Sequence, residues 1–347
     1  MREPVALFLT EQMSLLEAAA AAKYAETRGF DAVWQAESVF VRDPFLTMAY
    51  LAAQTSRIQL GCGVVHHALR NVGALCASLM TLEELAPKRV QCALSSWNDT
   101  QATKVGIERR KPMLAMRETV DGLRRLLAYE RVTLLGDSVT IVDLQLEPLE
   151  RRREPKTIPM MIGGSGAFVA LAGEIGDGIV LNSMVSPSYT SHAVSETRVG
   201  LQKAHRDPQS FAVMQLIACA VQGENESPTA PVKRARQAVA SAILQQPAWM
   251  RANGIPQGLI DELNQLARSS SHDDLLHVAA DLVPESIARL VVACGTPSQV
   301  RAKVREYIQA GATIPVMVAL DDGVRAMIDA LARGYTEPSQ SWLVESL

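Results

Sequence analysis

The stretch IPMMIGGSGAFVALAGEIGDGIVLN, residues Ile158–Asn182, decides the fold. It opens on an apolar run, Ile158–Ile162, that reads as a fully buried strand, and four small residues follow: Gly163, Gly164, Ser165 and Gly166. Phe168, Leu171, Ala172 and Ile175 recur at helical spacing, and Gly178–Leu181 reads as a second buried strand. Strand, turn, helix and strand in that order make a parallel crossover unit. Glycines at the start of its helix let backbone N–H groups converge on an anion, typically a phosphate. No lysine follows them and the glycine spacing fails the dinucleotide fingerprint, so neither a nucleoside-triphosphate loop nor a dinucleotide fold fits. The plain alternative is a tight connection with no ligand.

Outward from this unit the same alternation recurs. Val5–Leu9, Asp31–Trp34, Ile58–Val65 and Val90–Leu94 read as strands one to four, and the stretch above supplies five and six. Phe211–Val221 and Ile314–Ala319 complete a series of eight. Helices are expected at Ser14–Thr27, Pro44–Thr55, Val72–Leu85 and Met113–Tyr129, the first with Ser14 and Glu17 at capping-box spacing. A polar stretch around Gly136 and Asp137 predicts a hairpin excursion. Eight strands alternating with helices predict an α/β fold, a closed (β/α)8 TIM barrel. Residues 223–294 break the rhythm with Pro228, Pro231, Pro247, Pro256 and Pro284, and read as a helical insertion after strand seven within a single domain, 1–335. Thr296 and Pro297 start a new helix as N-cap and first residue. Residues 336–347 form a tail without periodicity.

Composition limits the function. The chain has 347 residues, 48% hydrophobic and 20% charged, with a formal net charge of −3 and no basic block, which argues against a nucleic-acid partner. Cys62, Cys76, Cys92, Cys219 and Cys294 lie scattered, without a CxxC pair, as reduced thiols would. His192, His205, His272 and His277 show no metal-ligand spacing, so no metal is expected. No apolar run is long enough for a membrane span and Met1–Thr10 carries no signal-peptide pattern, so a soluble cytoplasmic protein is expected.

Several ordered blocks resemble the bacterial luciferase-like superfamily, closest to its F420-dependent reductases of the methylenetetrahydromethanopterin reductase type. They include Arg28–Trp34 with Glu37, Arg42–Thr47, Thr55–Val64, Thr81–Leu85, Gly106–Glu108 before Lys111–Pro112, Met116–Glu118, Leu171–Gly178 and Gly295–Pro297. The resemblance implies a TIM barrel, a homodimer, and a deazaflavin or flavin ring at the C-terminal mouth. It also implies a non-proline cis peptide at Gly63–Val64 supporting that ring, and a phosphate cradle at Gly163, Gly164, Ser165 and Gly166. Three departures point to a remodelled pocket: Ser38 stands where the family usually has His, Ser95–Ser96–Trp97 replaces a Gly-x-Gly run, and Arg70–Asn71–Val72 replaces Arg-His-Pro.

Glu37 ends a strand where barrel active sites gather, and a carboxyl there suits a proton donor; the plain alternative is a structural pairing with Arg42 or backbone donors. His66 and His67 follow strand three at the same mouth. Neighbouring residues on extended backbone face opposite ways, so at most one ring is expected in the pocket, and the resemblance implies His66. Ser95, Ser96, Asn98 and Asn182 are candidate cofactor contacts, and Ser38, His67 and Trp97 candidate pocket walls. The expected activity is hydride transfer from reduced F420 to an electron-poor C=C or C=N of a small molecule, with Glu37 or His66 supplying the proton. The alternatives are an FMN-dependent monooxygenase and a cofactor-poor, non-enzymatic relative.

Overall fold

A computed structural model describes residues 4–38, 41–147, 156–269, 275–321 and 323–332. The expected tail, 336–347, and most of the polar run 268–274 lie outside the described residues.

Numbered along the chain, the strands are β1 (Ala6–Phe8), β2 (Ala32–Gln35), β3 (Gln59–His66) and β4 (Val90–Ser95). Next come β5 (Val132–Leu135), β6 (Thr140–Leu144), β7 (Met160–Gly163) and β8 (Gly178–Leu181). The last three are β9 (Ala212–Val221), β10 (Val292–Gly295) and β11 (Ile314–Ala319). Parallel pairing runs β1–β2–β3–β4–β7–β8–β9–β11, and β11 returns to β1, closing the eight-stranded barrel. All eight strands expected from apolar runs are those of the barrel, and β5 and β6 form the expected antiparallel hairpin.

β10 is the element that periodicity did not reveal. Ala218 and Cys219 of β9 pair with β11 on one edge and with β10 on the other, so β10 takes over the edge that β8 leaves at Gln215. Val292–Gly295 is too short to stand out between two helices. Its burial comes from the residues before it, whose helices Ala230–Gln245, Pro247–Ala252, Gln257–Ser269, Leu275–Leu282 and Glu285–Val291 build a core of their own. Val239, Ile243, Met250, Leu263 and Val283 pack there against Ala218, Ala220, Val292 and Cys294, which joins the insertion to the top of β9.

The barrel lumen is a small separate core of Ala6, Ala32, Trp34, Ala93, Met161, Val180, Met214 and Val316. Trp34 needs the space over Gly61, where a Cβ would lie 2.0 Å from the indole ring. The larger core fills the annulus between strands and helices, with Leu7, Leu60, Leu94, Ile162, Leu171 and Met317 among its buried members. Burial there dominates the stability. Local signals set the helix ends. Ser14 and Glu17 close a capping box on Leu15–Thr27, Asp43 accepts from the N–H groups of Phe45 and Leu46 before Pro44–Ala52, and Thr296 with Gln299 caps Pro297–Gln309.

Candidate active site at the barrel mouth

The C-terminal ends of β2, β3, β4 and β7 converge around small residues. The Gly63–Val64 peptide is cis, and the β3–β4 register shifts between Gly63 and Val65. A Cβ on Gly63 would meet Ala93 Cβ at 2.5 Å, and one on Gly163 would meet Val64 Cγ1 at 2.4 Å. The bulge of β3 therefore leans across β4 onto the first glycine of the turn. Ser95 sits beside them, its Cβ 3.6 Å from that same point above Gly163.

The turn itself leads into the helix Ala167–Ile175. Gly166, its N-cap, has φ +57° and no side-chain cap, and nothing lies within 4 Å of where its Cβ would be. Gly164 has no room for a side chain, because a Cβ would come 2.7 Å from Phe168. Ser165 and Gly166 are exposed. The N–H groups of Phe168 and Val169 already donate to Ser165 O and Gly166 O at 3.3 and 3.0 Å, so an oxyanion would be met by the N–H groups of the turn and of Ala167.

Glu37 follows β2 and is buried. Its N–H donates to Val64 O at 3.0 Å, its Oε2 accepts from His66 N–H at 3.0 Å, and its Oε1 pairs with Arg70. Arg70 also reaches Asp43 Oδ2 at 2.6 Å. The partner is thus Arg70 and not Arg42, which donates instead to Met13 O at 2.5 Å. Sequence order suggested the nearby Arg42 or backbone donors; the return of the chain after β3 brings Arg70 and the His66 N–H instead. With both oxygens accepting, Glu37 acts as an anchor for the cis-peptide bulge and the start of the β3 loop.

His66 and His67 depart from the alternation expected of extended backbone. Leu69 N–H donates to His66 O in a turn that begins as the strand ends, and both rings face the same cleft, stacked at 5.0 Å with planes 17° apart. Trp97 stands 4.8 Å from the His66 ring as a wall. Ala68 N–H donates to His66 Nδ1 at 3.1 Å, so neutral His66 carries its proton on Nε2. That Nε2, like Ser95 Oγ, is buried with no hydrogen-bond partner. Burial first, then the neighbouring His67 and Arg109, push His66 down to about 4. Burial and Arg109 do the same to His67, also to about 4.

The remaining candidates separate. Ser96 Oγ accepts from Arg109 Nε at 3.2 Å, and Asn98 Oδ1 caps the helix Asp99–Lys104 through Gln101 N–H at 2.9 Å. Ser38 exchanges backbone hydrogen bonds with Arg42. Asn182 is exposed at the end of β8, its carbonyl held by Gln215 Nε2 at 2.8 Å. Glu174 lies away from the mouth: burial pushes its carboxyl up, but Arg117 and Lys203 outweigh that and hold it below its ordinary value. Arg70 and Arg109 are charged side chains at the mouth to which sequence reading assigned no partner or role. Both sit in loops, where no periodicity shows what a long side chain reaches.

The model for luciferase-like monooxygenases matches residues 5–313. The chain belongs to that family. It is 28% identical over 303 residues to the 5,10-methylenetetrahydromethanopterin reductase of Methanolobus tindarius, covering 86% of this chain and 89% of that one. It is 26% identical to the F420-dependent glucose-6-phosphate dehydrogenase of Kineococcus radiotolerans, covering 83% and 82%. Among solved structures, the F420-dependent tetrahydromethanopterin reductase of Methanopyrus kandleri superposes with TM-score 0.81 at 19% identity, over 96% of this chain and 98% of that one. A monooxygenase from Streptomyces bottropensis superposes at 0.67 with 18% identity, over 95% and 98%. Among the described residues no helix is long and apolar enough to cross a membrane, and no group of His, Cys, Asp and Glu could hold a metal ion.

Proposed function

We propose that this protein is an oxidoreductase that uses reduced F420 to reduce a small molecule at an electron-poor C=C or C=N, with FMN as the alternative cofactor. The observation that carries the proposal is the mouth itself. A cis-peptide bulge abuts a glycine turn, and two buried polar atoms, His66 Nε2 and Ser95 Oγ, stand without partners there. Buried polar groups are nearly always hydrogen-bonded, so this pair suits a bound ligand. The named relatives favour F420 over flavin.

Gly163, Gly164, Ser165 and Gly166 would hold the cofactor phosphate on backbone N–H groups, and Gly63 and Val64 would back its ring. Bound reduced F420 supplies a hydride equivalent without needing an oxygen pocket. The chain's own residues orient the reactants and handle one proton. Glu37 positions the His66 loop. His66 is assigned as the proton carrier through Nε2; its acid form carries the second proton on Nδ1 and has to give up the hydrogen bond from Ala68 N–H. At about 4 its acid form is scarce at neutral pH, and a bound anion beside the ring would raise it. Trp97 and His67 would exclude water from one side, Ser96 and Asn98 would contact the cofactor's polar chain, and Ser38 and Asn182 would border the pocket. The proposal includes a cytoplasmic homodimer.

The test is equilibrium binding of purified protein to F420 and to FMN, followed by fluorescence. F420 should bind and the Gly164→Val variant should not bind it. Tight FMN binding with negligible F420 binding overturns the cofactor assignment, and binding of neither supports a cofactor-poor relative.

A further inference from the structure

A cleft of about 570 Å3 opens outward from the two histidines. Its inner end is His66 and His67, its floor is the helix Pro112–Leu127 at Ala115 and Thr119, and its far wall is the hairpin at Ser138, Val139 and Thr140. The wall is fixed, since Glu118 accepts from the N–H groups of Asp137, Ser138 and Val139 at 3.0, 2.9 and 2.8 Å. The cleft is therefore a built space between strand-end, helix and hairpin.

Its polar groups are poised for a guest. Thr119 is 1% exposed and its Oγ1 has no partner, although a helical threonine ordinarily bonds the carbonyl one turn back. His66, also 1% exposed, lacks a partner at Nε2. Two nine-tenths-buried side chains thus line one cleft with unsatisfied hydrogen-bonding capacity.

The lining of this cleft is rich in arginine, although the partners Glu37, Asp43, Asp99 and Glu108 offset its formal charge. Arg70, Arg109 and Arg110 line it against Glu108 as the single carboxylate among its described lining residues. Arg70 is already neutralised by Glu37 and Asp43, and Arg110 pairs with Glu108 on the surface. Arg109 differs: it is largely covered, while its partner Asp99 is 82% exposed, where water and salt weaken the pair. Nε and Nη1 hold Ser96 and Asp99, and a guanidinium has further donors on Nη2. Its charge is felt at both imidazoles, which it helps keep neutral.

We infer that this cleft binds the carboxylate or phosphate group of an anionic substrate, with Arg109 as the charged anchor and Thr119 and His66 as hydrogen-bonding partners. The inference rests on the mouth being the reaction site, and it names the substrate class for that site. It also couples binding to chemistry. An oxyanion beside Arg109 offsets one of the charges that, after burial and His67, disfavour the imidazolium, so bound substrate raises the small protonated fraction of His66.

The experiment is a titration of the full chain, without cofactor, with inorganic phosphate and with citrate, each against sodium chloride at matched ionic strength. Imidazole C–H signals are followed by NMR and assigned with His66→Asn and His67→Gln. At least one of the two anions should shift the His66 and His67 signals saturably and raise their midpoints from about 4 by about one unit. Arg109→Gln and Thr119→Val should each weaken that affinity by about tenfold or more, a scale expected for loss of a charge-assisted or buried hydrogen bond. Saturation by phosphate alone assigns a phosphoryl group, and by citrate alone a carboxylate. Shifts no larger than those with chloride, or affinity unchanged in Arg109→Gln, overturn the inference. Cofactor binding is read separately, so failure of F420 to bind leaves this result standing.

Discussion

Acidification should destabilise this protein through two residues. In the folded chain His66 and His67 stay neutral down to about 4, because both rings are buried and Arg109 lies near them. In the unfolded chain each titrates near its ordinary 6.5. Both folded values are depressed, so the unfolded state takes up protons first as pH falls. Their contribution is intact above 6.5 and is lost progressively as pH falls from 6.5 through 4. At pH 4.5 linkage gives a loss of about 2.5 kcal/mol per ring, or ~5 kcal/mol for the pair. That is a large share of the stability of a typical domain. The assay is urea unfolding at pH 7.0, 5.5 and 4.5 for the wild type and for the His66→Asn/His67→Gln double variant, whose amides do not titrate. The double variant should start less stable at pH 7 and lose much less than the wild type down to pH 4.5. Equal losses in the two proteins would refute the reasoning, because the acid sensitivity would then lie in carboxylates elsewhere.

Three further outcomes are expected. Arg70→Met strands the buried Glu37 carboxylate and should cost about 3 kcal/mol in urea unfolding; adding Glu37→Gln should recover part of it, and strict additivity of the two changes would show that the pair is not coupled. Gly61→Ala pushes a methyl into the Trp34 ring and should cost ~3 kcal/mol while changing the near-ultraviolet circular dichroism of the indole; an unchanged spectrum and stability would mean the ring is not packed there. Glu118→Ala removes the acceptor of three hairpin N–H groups, so amide exchange at Asp137, Ser138 and Val139 should speed up by about tenfold or more while exchange in β3 and β4 stays slow.

Repetition made the barrel readable. Eight apolar runs, each followed by a helix, could be placed within a residue or two because burial on both faces of a parallel strand writes itself into consecutive residues. Capping at Ser14 and Thr296 is equally local: donor and acceptor lie within three residues. The hairpin showed through Gly136 and Asp137, and the cis Gly63–Val64 peptide through family resemblance. β10 was hidden, since four residues gain strand character only from the far end of β9.

At the mouth the sequence named the participants but not their partners. It marked Glu37, His66, His67, Trp97 and the Gly163–Gly166 turn, because each sits just past a strand end. Whether Glu37 meets Arg42 or Arg70, and whether two adjacent imidazoles share a cleft, depends on how the loop after β3 folds back. Neighbours along a chain follow from backbone geometry; contacts across 33 residues, such as Arg70 with Glu37, follow only from packing. The sequence by itself thus determined the barrel, its order and the places where chemistry gathers. The tertiary structure alone decided which of those side chains are buried, neutral and unpartnered, since burial and pairing are properties of surroundings that distant segments supply.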